Sequence, residues 1–304
     1  MSVTWRGVFP ALMTEMREDG SLDHEATARH IESCLRAGVD GFIMLGTLGE
    51  NCSLYPDEKE EVLREAVRTV AGRVPVLSGV AEYTTAMAID HARRAERAGC
   101  DGLMALPCMV YHADSREAVH HFRTLAAASD LPIMVYNNRI AYKVDLTPED
   151  FVALADCDTI VAIKESSDDS RRITDVINAC GDRYTIFCGV DDLMLENVLF
   201  GASGWVAGLV NAFPREAVEL YRLAAARRVD EAVRLYRWFM PLLHLDCGPR
   251  LVQAIKLANQ ITGEGSEWVR VPRLPLVGAE RARVEAIVHE ALRTRPRVPA
   301  QAAE

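Results

Sequence analysis

Eight short apolar runs, each followed by a stretch of helical character, constrain this chain more than any other feature. The runs cover 7–14, 40–46, 74–80, 101–107, 132–137, 160–166, 184–190 and 203–210. Between them lie segments such as 57–70 and 84–98, with charges gathered on one face. Near-continuous apolar strands point to a parallel sheet covered on both faces. Eight strand–helix units point to closure into a (β/α)₈ barrel rather than an open sheet. A local echo fits that scheme: Ala37-Gly38-Val39-Asp40-Gly41 returns as Ala98-Gly99-Cys100-Asp101-Gly102, each time just before an apolar run. A glycine just past a helix takes the left-handed conformation that ends it. The echo is therefore read as scaffold.

After the eighth unit the pattern changes. Segments 214–228, 230–245, 249–262 and 279–293 read as helices with no strands between the later ones. We expect a barrel over 1–228, a helical extension over 229–294 and a flexible tail over 295–304. The length of 304 residues suits this, since such a barrel takes roughly 250. No linker rich in Pro, Gly or Ser marks a second independent domain.

Composition narrows the function classes. A formal net charge of −10 repels phosphate backbones, and no basic stripe with interleaved aromatics is present, so nucleic acid is not an expected partner. No run of about 20 apolar residues marks a membrane span, and the start of the chain has no apolar signal core. The eight cysteines form no C-x-x-C pair and read as reduced core thiols, which fits the cytoplasm. The eight histidines show no metal-ligand spacing, so no metal is expected. His120 and His121 read as surface residues, and His112 as a candidate accessory acid. Asp191 and Asp192 read as helix caps. No Walker loop or G-x-G-x-x-G fingerprint suggests a nucleotide.

The sequence holds four lysines: Lys59, Lys143, Lys164 and Lys256. Lys59, among Glu58, Glu60 and Glu61, reads as a surface residue, Lys143 as a loop residue, and Lys256 lies on a C-terminal helix. Lys164 stands apart, in the run Ile160-Val161-Ala162-Ile163-Lys164-Glu165-Ser166. Side chains alternate along a strand, so Ala162 and Lys164 face inward if Val161 and Ile163 face the helices. The position is near the C-terminal end of the strand, the end that carries active sites in such barrels. Desolvation there favours the neutral amine, which can attack a carbonyl. The competing reading is a lysine paired with an inward carboxylate such as Glu165.

Three further segments line up with Lys164: Gly46-Thr47-Leu48-Gly49-Glu50 after the second strand, Tyr136-Asn137-Asn138 at the end of the fifth, and Gly189-Val190-Asp191-Asp192 after the seventh. Together they resemble the dihydrodipicolinate synthase / N-acetylneuraminate lyase family. The resemblance implies a Schiff base at Lys164, proton transfer by Tyr136 and a relay hydroxyl at Thr47. It also implies carboxylate binding by the backbone N–H groups of Leu48 and Gly49, and pocket walls at Gly189 and Val206. Glu50 reads as a brace for its loop. The resemblance further implies a homotetramer built as a dimer of dimers, acting on a small 2-oxo acid with no added cofactor.

Departures from the family pattern bear on the substrate. Leu48 replaces the second threonine of the usual G-T-T-G-E. Met109 stands where many members carry a tyrosine that reaches a partner's site, and Tyr111 replaces it only with a shifted loop. Ala141 stands where the synthases carry an arginine, leaving Arg139 as a candidate substitute for substrate binding. These losses argue against lysine biosynthesis. Segments 79–85, 134–138 and 240–246 instead resemble the 1-pyrroline-4-hydroxy-2-carboxylate deaminases, which form 2,5-dioxopentanoate and ammonia. Dehydration or aldol cleavage of 2-keto-3-deoxy sugar acids, dihydrodipicolinate synthesis, and a non-catalytic barrel that binds 2-oxo acids are the alternatives.

Overall fold

A computed structural model describes residue 3 and residues 5–299. Eight strands appear where the apolar runs place them: β1 (Gly7–Pro10), β2 (Phe42–Met44), β3 (Val76–Val80), β4 (Gly102–Ala105), β5 (Ile133–Asn137), β6 (Ile160–Glu165), β7 (Thr185–Cys188) and β8 (Gly204–Ala207). Each is shorter than its apolar run, because the runs continue into buried loops at the strand ends. All neighbours are parallel, in the order β1-β8-β7-β6-β5-β4-β3-β2. The ring is completed between β1 and β2: Asp40 N donates to Val8 O and Leu12 N to Ile43 O, both at 2.9 Å. The protein is a (β/α)₈ barrel.

The helices around it are α1 (His24–Ala37), α2 (Pro56–Val70), α3 (Thr85–Arg97), α4 (Ser115–Ala127), α5 (Arg139–Tyr142), α6 (Pro148–Ala153), α7 (Arg171–Cys180), α8 (Met194–Phe200) and α9 (Pro214–Ala225). Then come α10 (Val229–Leu243), α11 (Leu251–Thr262) and α12 (Gly278–Arg293). The repeated Ala-Gly-x-Asp-Gly segment has a definite job. Gly38 ends α1 at φ 85°, ψ 42°, the left-handed region that a side chain disfavours. The aspartate then accepts a strand N–H that would otherwise lack a partner: Asp40 Oδ2 from Val8 N, and Asp101 Oδ2 from Val76 N, each at 2.8 Å.

Three sequence expectations need correction. Lys59 is buried, at 6% exposure, and its Nζ lies 2.6 Å from Glu82 Oε1. It shares the inward face of α2 with Val62, Leu63, Ala66 and Val70, a spacing of three, four, seven and eleven. Its charged sequence neighbours point about 100° away per residue and say nothing about that face. His121 is also buried, with Nδ1 2.9 Å from Thr85 Oγ1, and only His120 of that pair meets solvent. The tail after Thr294 is anchored at its start: Arg295 Nε and Nη2 donate to Glu216 at 2.6 and 3.0 Å. Residues 300–304 lie outside the described part. All eight cysteines are free; Cys34, Cys100 and Cys188 are core residues, whereas Cys52 and Cys247 are exposed.

The C-terminal helices are fastened to the loop after β2 by buried charge. Lys256, on α11, is fully buried, and its Nζ lies 2.8 Å from the equally buried Glu50 Oε1. The same amine donates to Thr14 O at 2.8 Å and Trp268 O at 2.6 Å. A buried ion pair is costly to desolvate, and these further acceptors are what makes it tolerable.

Candidate active site

Adjacent strands β5 and β6 bring the chemistry together. Tyr136 pairs in register with Lys164, so both side chains leave the sheet on the same face, one residue before each strand ends. Lys164 Nζ sits over the Tyr136 ring, 3.9 Å from its centroid, and both residues are 6% exposed. Among the described residues no carboxylate lies within 4 Å of that amine. Glu165 is turned elsewhere: it accepts from Asn137 Nδ2 at 3.0 Å and from Ser167 N at 2.6 Å. Burial, opposed by those donors, holds its carboxyl above the usual range. The reading of Lys164 as half of an ion pair with Glu165 is therefore set aside.

Gly189 makes room for the lysine. A Cβ there would lie 2.5 Å from Lys164 Cε and 2.0 Å from Ser166 Oγ, so even alanine would displace both. Val206, on β8, is buried at 2%. Ser166 Oγ is itself buried and without a hydrogen-bond partner among the described residues.

Thr47 does not act alone. Its hydroxyl lies 2.5 Å from that of Tyr142, at the end of α5, and the Tyr142 ring meets the Tyr136 ring edge-to-face at 5.5 Å. Asn138 Nδ2 donates to the Tyr136 hydroxyl oxygen at 3.1 Å, leaving the phenol proton free for another acceptor. Burial, then the adjacent Tyr136, push the Tyr142 hydroxyl well above the ordinary phenol range, against the Thr47 hydrogen bond. Tyr142 was missed in the sequence reading. Its signal was present: Asn138 Oδ1 caps Ala141 N at 2.9 Å, and one helical turn from an N-cap brings residue i+4 back over it.

The loop after β2 presents open backbone. Among the described residues no hydrogen bond within the chain engages the N–H groups of Leu48 or Gly49. Gly49 O accepts from Thr14 Oγ1 at 2.7 Å, and Glu50, left-handed at φ 53°, locks the turn through Lys256 and through Arg270 N at 3.0 Å. A side chain on Gly49 would strike Leu45 N at 2.8 Å. Arg139 is 41% exposed; its Nε donates to Ser167 O at 3.1 Å and Nη1 lies 3.9 Å from Asp145. His112 and Tyr111 are exposed beyond β4, Tyr111 bonded to Glu117 at 3.0 Å.

Asp191 is not a helix cap. Its fully buried carboxylate accepts from Trp205 Nε1 at 2.9 Å, Gly208 N at 3.1 Å and Leu209 N at 2.8 Å, bracing the end of β8. Burial raises its pKa to about 6, while those donors and the Lys164 charge pull the other way. Asp192 Oδ2 lies 2.9 Å from His244 Nδ1 and accepts from Cys247 Sγ at 3.2 Å. The three groups lie within 4.8 Å of one another, a spacing open to a cation. Their mutual hydrogen bonds account for that spacing, and we assign no metal. They fasten the 3₁₀ turn His244–Asp246 to the loop after β7.

The dihydrodipicolinate synthetase family model matches residues 4–291. The chain belongs to that family. Relatives include the 4-hydroxy-tetrahydrodipicolinate synthases of Pelobacter propionicus, 32% identical over 93% of this chain and 98% of theirs, and of Exiguobacterium sibiricum, 34% identical over 91% and 94%. Among solved structures, the 4-hydroxy-tetrahydrodipicolinate synthase of Methylacidiphilum fumariolicum superposes with a TM-score of 0.91 at 26% identity, covering 96% of this chain and 98% of that one. The dihydrodipicolinate synthase of Aquifex aeolicus gives 0.90 at 27% identity, over 94% and 98%. Membership makes this chain a Schiff-base enzyme of the lyase type acting on a small molecule. Among the described residues no helix is long and apolar enough to cross a membrane.

Proposed function

We propose that this enzyme forms a Schiff base at Lys164 and eliminates a hydroxyl group from a short 2-oxo acid or cyclic imino acid. The substrate we favour is 1-pyrroline-4-hydroxy-2-carboxylate, giving 2,5-dioxopentanoate and ammonia. The observation that carries the reading is the unpaired Lys164 amine over the Tyr136 phenol at the mouth of the barrel. The amine attacks C2, the open N–H groups of Leu48 and Gly49 hold the adjoining carboxylate, and the iminium acidifies the C3 protons. Tyr136 takes one of them, and the Tyr142–Thr47 hydroxyl pair beside it passes protons onward. Expulsion of the 4-hydroxyl and hydrolysis then release the products. Lys164 itself supplies the electron sink. Gly189 and Val206 form the wall behind the adduct, and Arg139 guards the rim.

The names of the relatives favour a second reading, synthesis of 4-hydroxy-tetrahydrodipicolinate. Met109 and Ala141 weigh against it: the first is partly buried and apolar, the second exposed and without a functional side chain. Dehydration or aldol cleavage of 2-keto-3-deoxy sugar acids uses the same early steps as the favoured reaction. We place the enzyme in the cytoplasm, as its free thiols suggest, and as a homotetramer. The exposed Tyr83, Val110 and Tyr111 lie on two loops joined by a Met109 N to Glu82 O hydrogen bond, an apolar patch suited to a subunit contact. Light scattering at working concentration should return four times the chain mass; a monomer would contradict the assembly. Product analysis tests the chemistry: ammonia and 2,5-dioxopentanoate should appear together from the hydroxypyrroline carboxylate, and condensation of pyruvate with aspartate semialdehyde should be slower by orders of magnitude. The opposite ranking establishes the synthase reading.

A further inference from the structure

Hydroxide is a poor leaving group, so elimination is helped by an acid held close to the departing oxygen. The structure offers few candidates. Glu165 and Asp191 have their carboxylates filled by hydrogen bonds inside the chain. Asp246 differs. It ends the 3₁₀ turn that follows α10, and its carboxyl rests on the backbone of Gly208, where a Cβ would lie only 2.6 Å from Oδ1. Gly208 follows β8 and donates its N–H to Asp191, so Asp246 faces the same barrel mouth as Asp191 and within charge reach of Lys164. Among the described residues no hydrogen bond reaches its carboxyl. It is ringed by protein yet keeps contact with solvent, the condition of a group lining a cleft rather than packed in a core.

We propose that Asp246, on the turn after α10 and against the backbone of Gly208 beyond β8, is the general acid that protonates the departing hydroxyl. This rests on the Schiff-base reading of Lys164. Tyr136 removes the C3 proton, and the electron pair of that C–H bond forms an enamine. The enamine pair then makes the C3–C4 double bond while the C4–O bond breaks and its electrons go to oxygen. Asp246 O–H gives that oxygen its proton, so water leaves and Asp246 remains as carboxylate. Burial, then the neighbouring charge of Asp191, hold the Asp246 carboxyl well above the ordinary range, with Lys164 opposing, which keeps a proton available. Gly208 is needed because any side chain there would push Asp246 out of the pocket. The distal hydroxyl of the substrate, rather than a second carboxylate, is what this group recognises.

The test separates the two halves of the reaction in the full-length enzyme. Pyruvate has a C3 methyl group and no hydroxyl to lose, so exchange of its methyl protons in deuterium oxide reads Schiff-base formation and C3 proton transfer without the leaving-group step. Elimination is read with 4-hydroxy-1-pyrroline-2-carboxylate and a 2-keto-3-deoxypentonate. Asp246→Asn should keep pyruvate exchange within about twofold of wild type and lose about 100-fold or more of its elimination rate, the scale of a positioned acid. Elimination by Asp246→Asn within about threefold of wild type overturns the assignment. So does a parallel loss of exchange, which would mean Asp246 merely shapes the site. Wild-type enzyme that exchanges pyruvate but eliminates from neither probe removes the leaving-group role while sparing Lys164. Wild-type enzyme that neither exchanges nor traps pyruvate removes the Schiff-base reading and this one with it.

Discussion

Lys164, Tyr136, Tyr142 and Thr47 form one unit: an amine over a phenol, that phenol against a second, and the second phenol 2.5 Å from an alcohol. Groups coupled this way do not contribute additively. Tyr142→Phe and Thr47→Val should each slow turnover by about tenfold or more while leaving the lysine free to form its adduct, and the double variant should be little worse than either single one. Steady-state kinetics on the three variants checks this; a double variant slowed by the product of the single effects would show two independent sites. Tyr136→Phe should cost more, about 100-fold to 10,000-fold, because it removes the proposed proton acceptor itself. At this scale the sequence was legible where strand alternation decides orientation, as at Lys164. It was illegible at Tyr142 and at Asp246, the proposed acid, which lie on a one-turn helix and in the turn after α10. Nothing in the alternation of a strand specifies where such side chains point. Lys59 shows the complementary failure, since its burial depends on Glu82, which is distant in sequence.

At the scale of elements, the loop after β2 depends on α11. Glu50 holds that turn, Lys256 holds Glu50, and both are fully buried. Removing Lys256 leaves the buried Glu50 charge with only Arg273 Nη1, 3.6 Å away, and the Arg270 N–H, at a cost of up to about 3–5 kcal/mol. Lys256→Met should lower the melting temperature and raise KM for a carboxylate-bearing substrate more than it lowers kcat, because the loosened turn is the one that offers Leu48 and Gly49. Melting and kinetics measured together check this; an unchanged KM in a folded variant would detach the loop from carboxylate binding. Glu50 as a brace was visible in sequence from its place after Gly49. Its partner was not, because 206 positions of chain separate the two and only the tertiary fold brings them within reach. The eight strands were legible because burial on both faces leaves near-continuous apolar runs. Their ends were overestimated because buried loops extend the same composition.

At the scale of the whole molecule, a second buried pair links the first strand–helix unit to the C-terminal helices. Glu15 Oε1 lies 3.1 Å from His30 Nδ1 and accepts from Asn259 Nδ2 at 2.9 Å. Burial alone would discharge both groups, but hydrogen bonding outweighs it. His30 is raised to about 10, with Cys34 and Glu15 favouring its charged form, and Glu15 is lowered, chiefly by His30. A raised histidine stabilises fully below its unfolded value of 6.5 and loses that contribution as pH climbs through about 10. A lowered glutamate stabilises above 4.5 and loses its contribution as pH falls. The melting-temperature gap between wild type and His30→Gln should therefore be widest between about pH 5 and 6 and narrow toward pH 9; a gap independent of pH would mean the pair is neutral when folded. Because Tyr142 belongs to the same chain as Tyr136, dilution that dissociates the proposed tetramer should leave the rate per chain largely intact. Schiff-base chemistry at Lys164 is tested most directly by borohydride reduction of the enzyme with pyruvate, followed by peptide mass analysis. One stable adduct per chain is expected, located on Lys164 and absent from Lys164→Ala, which should also be inactive. An adduct on another residue, or turnover by Lys164→Ala, would contradict it.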